Sequence, residues 1–266
     1  MIIYNDDEIA AARRSNGVVA RVLDELGAMI KPGLRTRDLD DYAAARTREL
    51  GAVSAFKGYR GYPATLCTSV NEEIIHGIPS DRVLREGDIV GIDFGVVLDG
   101  FYGDAARTFA VGEISPPARR LIETAERAFF KGFEEIREGG RLSDLSHAIQ
   151  TAVEAEGFSV IRQFVGHGVG RALHEDPQVP NFGTPGRGPR LRPGLILAVE
   201  PMIAAGGWGV EILDDGWTAV TADRSLSAHF EHTIALTARG AEILSRTAPA
   251  GASEMWMAKE NPYAQG

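Results

Sequence analysis

Two aspartates, Asp93 and Asp104, interrupt segments that otherwise have the apolar pattern of β-strands. An unpaired carboxylate in such a strand costs several kcal/mol unless an opposite charge compensates it. If Asp99-Gly100 forms a two-residue hairpin turn, Gly95 pairs with Asp104, and Asp93 lies on the same face as Asp104. Such diagonal neighbours are roughly 7–8 Å apart at the backbone, which leaves room for metal ions between them. The hairpin therefore predicts a divalent-metal site.

Three further side chains, His167, Glu200 and Glu231, could complete this site. Each also has an ordinary interpretation, since a buried acid can be satisfied by backbone amides and a strand glutamate is usually solvated. The glycines around His167 could indicate a phosphate loop, but their spacing is not GxGxxG. Four carboxylates and one imidazole together form an oxygen-rich set suited to manganese, iron or cobalt. The set has too many carboxylates for a typical structural zinc site.

The composition is that of a globular intracellular protein with a large core. The chain has 266 residues, of which 44% are hydrophobic, and a net charge of −9. That charge argues against a protein that neutralises nucleic-acid phosphates. The one cysteine, Cys67, excludes an intramolecular disulfide framework and suits a reducing compartment. We expect a cytoplasmic location, because no signal peptide and no apolar run of about 20 residues is evident.

The chain also matches itself at a shift of about 106 residues. A shift of 106 superposes Gly33, Arg35, Asp38, Leu39 and Gly51 on Gly139, Arg141, Asp144, Leu145 and Gly157. A shift of 107 superposes Leu84, Arg85, Gly87 and Ile89 on Leu191, Arg192, Gly194 and Ile196. The second register also aligns Asp93 with Glu200. We infer two similar halves, roughly residues 1–110 and 115–240, that share one core.

Each half is predicted to contain two helices followed by strands. Helical spacing covers residues 8–30, 37–50, 117–137 and 142–156, and strand-like runs cover 64–69, 88–97, 102–111, 194–204 and 229–237. The fold class is therefore α+β, with a curved antiparallel sheet covered by helices on one side and carrying the acidic site on its concave side. Residues 1–246 are expected to form one catalytic domain, and residues 247–266 a loosely held tail.

These residues resemble the type I methionine aminopeptidases of the pita-bread (creatinase/aminopeptidase) fold. The matching segments are GYRGYP at 58–63, SVNEEIIHGIP at 69–79, ID at 92–93, DGFYGD at 99–104, GHGVGR at 166–171, HE at 174–175, EPM at 200–202, DGW at 215–217, SLSA at 225–228 and EHT at 231–233. The resemblance covers about residues 3–246. The family's internal pseudo-two-fold symmetry agrees with the repeat.

The resemblance implies that two divalent ions (cobalt, manganese or iron) are held by Asp93, Asp104, His167, Glu200 and Glu231, with Asp104 and Glu231 bridging them. A water between the ions would attack the first peptide bond. Glu200 would be the general base, His174 would stabilise the oxyanion, and His76 would lie near the scissile amide nitrogen. The methionine pocket would draw on Tyr59, Tyr62, Cys67 and Trp217, with Phe56, Phe164 and Leu173 as further candidates. We interpret His147 and His229 as ordinary surface or core histidines.

The implied substrate is the N-terminal methionine of nascent polypeptides whose second residue is small. A monomer with transient ribosome contact is expected, without membrane or specific nucleic-acid binding. Two alternatives stay open. One is an Xaa-Pro aminopeptidase or prolidase, although those relatives usually carry an additional N-terminal domain. The other is a non-catalytic binding protein of the same fold, which would be expected to have lost metal ligands.

Overall fold

A computed structural model of the chain describes residues 1–247, so the predicted tail lies almost wholly outside the described residues. These residues form four α-helices, and each is within three residues of its predicted bounds. The helices are α1 (Asp6–Met29), α2 (Thr36–Glu49), α3 (Pro116–Glu134) and α4 (Leu142–Ala155). Helix α1 begins with a capping box, in which the Asn5 side chain accepts from the Glu8 amide and the Glu8 side chain from the Asn5 amide.

The described residues also form fifteen strands, and all of their pairings are antiparallel. The strands are β1 (Val53–Ser54), β2 (Leu66–Val70), β3 (Glu73–Ile75), β4 (Ile89–Leu98), β5 (Phe101–Ala110), β6 (Ser159–Val160), β7 (Gly166–Gly168), β8 (Glu175–Val179), β9 (Leu195–Val199), β10 (Met202–Ala204), β11 (Val210–Ile212), β12 (Ala219–Thr221), β13 (Ser227–His229), β14 (His232–Thr237) and β15 (Gly240–Ile243). They lie in four hydrogen-bonded groups, of which the largest are β1-β4-β2 with β5, and β15-β14-β9-β7-β8. The predicted α+β class is confirmed.

The hairpin of β4 and β5 has the predicted register. Gly95 lies opposite Asp104, and the turn residues Asp99 and Gly100 have φ values of 52° and 77°. Positive φ at both central residues is the requirement of a type I′ turn, which explains the Asp-Gly sequence. Because the turn fixes the register, Asp93 and Asp104 are diagonal neighbours on one face.

Two predicted strands are interrupted, and these predictions were wrong in the same way. The run 194–204 divides into β9 and β10 at Glu200-Pro201, and the run 229–237 divides into β13 and β14 at Phe230-Glu231. Proline has no N–H to donate to a strand ladder. The amide of Phe230 donates to the carbonyl of Pro201, so the two breaks face each other. Both glutamates therefore leave the regular strand geometry at the place where they enter the site.

The predicted internal repeat appears in the hydrogen bonds of the two halves. The amide of Gly33 donates to Leu84 O, and the amide of Gly139 donates to Leu191 O in the equivalent place. Each half also starts its second helix in the same way, because the amides of Arg35 and Arg141 donate to the carboxylates of Asp38 and Asp144. The two halves thus repeat both the helix start and the strand contact that precedes the site.

The helices cover one face of the strands and leave the other face to the site. Val90, Ile92, Phe94 and Val96 alternate along β4 and pack with α1 and α2, whereas Asp93 points to the opposite face. Burial of each such side chain contributes about 1.5–3 kcal/mol. A second core cluster joins α3 and α4 to β9 and β14. No helix within residues 1–247 has the length and apolar character to cross a membrane.

The two large strand groups meet beside the site. The amide of Glu231 donates to Ala106 O at 2.8 Å, and the amide of Ala106 donates back to Glu231 O at 3.4 Å. This pair links β5 of the first half to the segment between β13 and β14 of the second half. Because Ala106 lies two residues after Asp104 in β5, this pair brings Glu231 close to Asp104.

Candidate active site

All the sequence-predicted site residues line one cavity of about 200 Å³. The predicted ligands in its lining are Asp93, Asp104, His167, Glu200 and Glu231, and the predicted catalytic and pocket residues are His76, His174, Tyr59, Tyr62, Cys67 and Trp217. The further candidates Phe56, Phe164 and Leu173 also line it, together with Arg60, Ile75 and Val165, which the sequence did not single out. The structure therefore brings the acidic group and the apolar group together.

The acidic end of the cavity is a compact group of possible metal ligands. Donor atoms of Asp104, His167 and Glu231 all lie within 4.8 Å of one another. Nε2 of His167 lies 3.5 Å from Glu200 Oε1 and 3.9 Å from Asp104 Oδ2. Asp93 shares a face of the β4–β5 hairpin with Asp104, and it pairs with Cys67 of the neighbouring strand β2. The five predicted ligands are thus neighbours although the sequence separates them by up to 138 residues.

Each acidic residue is fixed through its backbone, which leaves its carboxylate available. The amide of Asp104 donates to Asn16 Oδ1 of α1, and its carbonyl accepts from Thr233 Oγ1 at 2.7 Å. The carbonyl of Glu200 accepts from the buried Asn181 side chain at 2.9 Å. Glu231 is held by its two bonds to Ala106. Main-chain anchoring of this kind holds a ligand in position without satisfying its charge.

The side-chain atoms in this group fit a bound cation. Within the described part of the chain, the buried atoms Asp93 Oδ1, Asp104 Oδ1 and Glu231 Oε1 have no hydrogen-bond partner. Nδ1 of His167 lies 2.9 Å from Gly168 O, which is an acceptor, so the imidazole proton is on Nδ1. The lone pair of Nε2 then faces carboxylate oxygens. Acceptors that face one another without a donor are the arrangement that a metal ion satisfies.

Burial sets the protonation of these groups when no cation is bound. It raises the pKa of Asp93 to about 7. It also raises the pKa of Asp104, Glu200 and Glu231 well above the usual range, and the neighbouring carboxylates add to the effect. Burial lowers the pKa of His167 to about 4, which keeps the imidazole neutral and able to act as a ligand.

Two further histidines, His76 and His174, lie at the border between the acidic and apolar ends. His76 follows β3 with φ 61°, and its ring meets Phe164 edge to face at 5.7 Å. The His174 ring lies 4.3 Å from the His167 ring, and its Nδ1 lies 2.9 Å from the Tyr59 hydroxyl. Burial, and then His174, lowers the pKa of His76 to about 4, and burial followed by the charge of Arg60 lowers the pKa of His174.

The opposite end of the cavity is apolar. The Tyr62 ring meets the Trp217 ring edge to face at 5.1 Å, and the Tyr62 hydroxyl donates to the carbonyls of Leu66 and Gly77. Cys67 is buried beside them, and burial raises the pKa of its thiol well above the usual value. Because these polar atoms are protonated or already paired, this wall presents mainly hydrocarbon and sulfur to a ligand.

Comparison with known proteins assigns nearly the whole chain to one protein family. The sequence model of metallopeptidase family M24 matches residues 10–238. The chain belongs to metallopeptidase family M24. Methionine aminopeptidase 1 of Bacillus subtilis is 51% identical to this M24 chain over 239 residues, which are 90% of this chain and 96% of the relative. The resemblance to methionine aminopeptidases is thereby confirmed.

Solved structures support the M24 assignment. The methionine aminopeptidase of Thermotoga maritima has a TM-score of 0.91 and 48% identity, over 93% of this chain and all of that one. The prolidase of Pyrococcus furiosus has a TM-score of 0.76 and 21% identity, over 93% of this chain and 66% of that one. At that identity the prolidase shows a shared fold alone. The predicted pita-bread fold is confirmed, and this M24 metallopeptidase is an enzyme.

The loop that carries His174 is held by the N-terminal segment of this M24 chain, which the sequence did not indicate. The hydroxyl of Tyr4 donates to both carboxylate oxygens of Glu175, at 2.8 and 2.9 Å, and accepts from the amide of Arg171. Tyr4 is buried and fills the space beside Gly170. The local sequence around Tyr4 carries no signal for this contact, because Glu175 is 171 residues away.

His229 is a core residue, as expected, but the sequence analysis missed its position beside the acidic group. The residue is buried, and its Nε2 has no hydrogen-bond partner in the described part of the chain. Nε2 lies 3.8 Å from Glu200 Oε2 and 4.0 Å from Glu231 Oε2. A signal was available, because a two-residue period puts positions 229 and 231 on one strand face. His147 is an exposed residue of α4 whose Nδ1 lies 3.2 Å from Gly183 O, so its ordinary interpretation is confirmed.

Proposed function

We propose that this enzyme is a methionine aminopeptidase that removes the initiator methionine from nascent proteins whose second residue is small. The observation that carries the proposal is the common cavity. One end has a buried group of carboxylates and an imidazole, the other end is an apolar wall, and His76 and His174 lie between them. The relatives of about 51% identity, which are named methionine aminopeptidases, support the same substrate.

The proposed cofactor is a pair of divalent ions, with cobalt, manganese and iron as candidates. The residues that would hold the ions are Asp93, Asp104, His167, Glu200 and Glu231. The unpaired buried oxygens of Asp93, Asp104 and Glu231 and the close approach of His167 motivate this assignment. When bound, such ions lower the pKa of a coordinated water and polarise the carbonyl of the scissile bond. Two ions rather than one are proposed because four carboxylates carry more negative charge than a single divalent ion neutralises.

Glu200 is the proposed general base. A carboxylate has two oxygens and can bind with one while it accepts a proton with the other. Oε1 of Glu200 faces His167, whereas Oε2 faces away toward His229. Glu200 then transfers the proton to the leaving amine as the peptide bond breaks.

His174 and His76 are the proposed contacts of the scissile peptide bond. If the Tyr59 hydroxyl donates to Nδ1 of His174, the imidazole proton is on Nε2. That N–H donates to the carbonyl oxygen as negative charge develops on it. His76 would hydrogen-bond the amide nitrogen of the same bond, and the methionine side chain would pack against Tyr62, Cys67 and Trp217. Tyr59 thus contributes through His174 as well as to the pocket.

The experiment that tests the proposal compares two peptides. Metal-free protein is reconstituted separately with Co(II), Mn(II) or Fe(II) and is incubated with Met-Ala-Ser or with an Xaa-Pro peptide. Release of free methionine from Met-Ala-Ser alone is expected, with Glu200→Gln as the inactive control. Cleavage of the Xaa-Pro peptide alone would replace the proposal with a prolidase-type activity. Cleavage of neither peptide, with metal bound, would favour a binding protein.

The catalytic domain bounds 1–246, the monomeric state, the ribosome contact and the cytoplasmic location stay predictions of the resemblance. They are separate from the proposed reaction, which depends only on residues that line the cavity.

A further inference from the structure

His229 and His232 are buried histidines close to Glu231 in the sequence to which the proposed reaction gives no role, and His232 is already paired with the Ser245 hydroxyl at 2.9 Å. The His229 side chain is 4% exposed, and its Nε2 has no hydrogen-bond partner among residues 1–247. Glu200 Oε2 and Glu231 Oε2 lie just beyond hydrogen-bond distance, at 3.8 and 4.0 Å. A buried imidazole N–H that faces carboxylates has an evident acceptor, because carboxylate oxygens are the strongest hydrogen-bond acceptors in proteins.

The backbone of His229 is fixed, so its ring stays beside Glu200. Its amide donates to Thr108 Oγ1 and its carbonyl accepts from the same hydroxyl, both at 2.9 Å. His229 also pairs with Met202 in the antiparallel contact of β13 and β10. Met202 lies two residues after Glu200 in the sequence. The strand pairing and the Thr108 hydroxyl therefore hold the residue from two sides.

The two oxygens of Glu200 face two imidazoles of different character. Oε1 lies 3.5 Å from Nε2 of His167, whose Nδ1 already donates to Gly168 O. His167 therefore has a lone pair at Nε2 and cannot donate a hydrogen bond to Glu200. Oε2 faces Nε2 of His229, which is free to carry the proton and donate it. The surroundings of Glu200 thus offer a ligand on one side and a donor on the other.

We propose that His229 is a positioning residue that donates a hydrogen bond from Nε2 to the Glu200 carboxylate. The bond would fix the rotation of the carboxyl group, so that one oxygen is presented to the metal site and the other is placed to receive a proton. The proposal rests on the proposed function, because it takes Glu200 to be the ligand and base. Outer partners of metal ligands commonly change metal affinity or activity by 10–100-fold when they are removed.

The test uses the full chain with three substitutions. His229→Ala removes the donor, His229→Gln keeps an N–H of similar reach, and His147→Ala is a control at an exposed histidine of α4. Mn(II) binding to each metal-free protein is measured by titration calorimetry, and kcat and KM are measured separately on Met-Ala-Ser. We expect His229→Ala to weaken Mn(II) binding and to lower kcat by about 10–100-fold with KM little changed. His229→Gln should restore most of both losses, and His147→Ala should match the unmodified protein.

Two results would overturn the proposal. One is Mn(II) affinity and kcat within twofold of the unmodified protein in His229→Ala. The other is an equal loss in His229→Gln and His229→Ala together with a lowered unfolding temperature, which would show that the ring only fills space. If the unmodified protein releases no methionine, the proposed function fails. The Mn(II) titrations of the three variants would still decide the role of His229.

Discussion

The hydroxyl of Tyr59 lies 2.9 Å from Nδ1 of His174, and the two rings are stacked with centroids 5.3 Å apart. If the hydroxyl donates to Nδ1, the proton of His174 is on Nε2 and can be donated to a substrate. We therefore expect Tyr59, which the resemblance assigns to the methionine pocket, to act on the reaction through His174.

We expect Tyr59→Phe to lower kcat on Met-Ala-Ser by roughly 3- to 10-fold while KM changes little. A neutral hydrogen bond contributes about 0.5–1.5 kcal/mol, and about 1.4 kcal/mol corresponds to a factor of ten in rate. Phenylalanine keeps the stacked ring, so the substitution tests the hydroxyl alone. Steady-state kinetics at fixed metal content provide the measurement. A rise in KM at constant kcat would instead assign Tyr59 to the methionine pocket.

Substitutions at Glu200 and His76 should separate metal binding from substrate contact. Glu200→Gln preserves the shape of the side chain, and we expect it to lower kcat by about 10²–10⁴-fold and to weaken Mn(II) binding. His76→Ala should lower kcat while the number of bound metal ions stays the same, because His76 meets Phe164 and Trp217 rather than the carboxylates. Metal analysis of the purified variants gives the comparison. The role assignments would be contradicted by an equal metal loss in both variants.

The metal-free protein should lose stability as the pH rises from 7 to 9. Asp93 has a folded pKa of about 7, and the pKa values of Asp104, Glu200 and Glu231 are raised further. In the folded protein these carboxyl groups hold protons that they have already released in the unfolded chain. The stability that they contribute therefore declines above their unfolded pKa and is lost as the pH rises through their folded pKa. We expect the unfolding temperature of the metal-free protein to fall by roughly 5 °C over this range.

Between pH 7 and pH 9 the buried histidines do not mask this loss of stability. Burial lowers the pKa of His167 to about 4 and that of His229 to about 3, so these residues make stability rise with pH. That rise ends near the unfolded value of about 6.5. Protein loaded with Mn(II) should keep a constant unfolding temperature from pH 7 to 9. Higher stability of the metal-free protein at pH 9 than at pH 7 would show that the carboxylates are not the dominant groups.

Metal affinity and activity should both decrease in acid. Raised pKa values mean that metal binding must displace protons from the carboxylates, so the affinity increases with pH until those protons are gone. We expect activity on Met-Ala-Ser to increase from pH 5 to pH 8, and metal release to follow the same curve. Dialysis at each pH followed by metal analysis measures the release. A rate maximum near pH 4 with metal retained would be incompatible with the proposed chemistry.

The second residue of the substrate should be restricted to small side chains. The cavity of about 200 Å³ must hold the methionine side chain and the reacting bond beside His76 and His174. A bulky second residue would move the carbonyl group, and misplacement by about 1 Å can cost on the order of a hundredfold in rate. We therefore expect Met-Ala-Ser to be cleaved at least roughly a hundredfold faster than Met-Ile-Ser. Comparable values of kcat/KM for the two peptides would exclude a narrow site.

The parts of the site that were predictable from sequence depend on local rules. The Asp99-Gly100 turn fixed the register of its hairpin, and that register placed Asp93 beside Asp104. The interruption after Glu200 had a local signal in Pro201, which cannot donate to a strand ladder, whereas the interruption at Glu231 depends on strands that come together from distant positions. Apolar residues stand on both sides of each break, so the apolar pattern alone indicates one strand in each case.

The position of His229 shows the same limit. Its neighbours Phe230 and His232 pack with the aromatic residues of α3, and their alternation with Glu231 could have shown which face His229 occupies. What the sequence does not contain is the distance from His229 to Glu200, because that distance depends on the pairing of β10 with β13. Contacts between remote segments are set by packing of the whole core and not by any local preference.

The correspondence of Asp93 with Glu200 gives the acidic centre an evolutionary interpretation. Asp93 and Asp104 come from the first half of the chain, whereas His167, Glu200 and Glu231 come from the second. A polypeptide of half this length, associated with a copy of itself about a two-fold axis, would place equivalent carboxylates on either side of that axis. Duplication and fusion of its gene would then join the copies and let each diverge. The single enzyme chain would in this way retain the site of an ancestral homodimer.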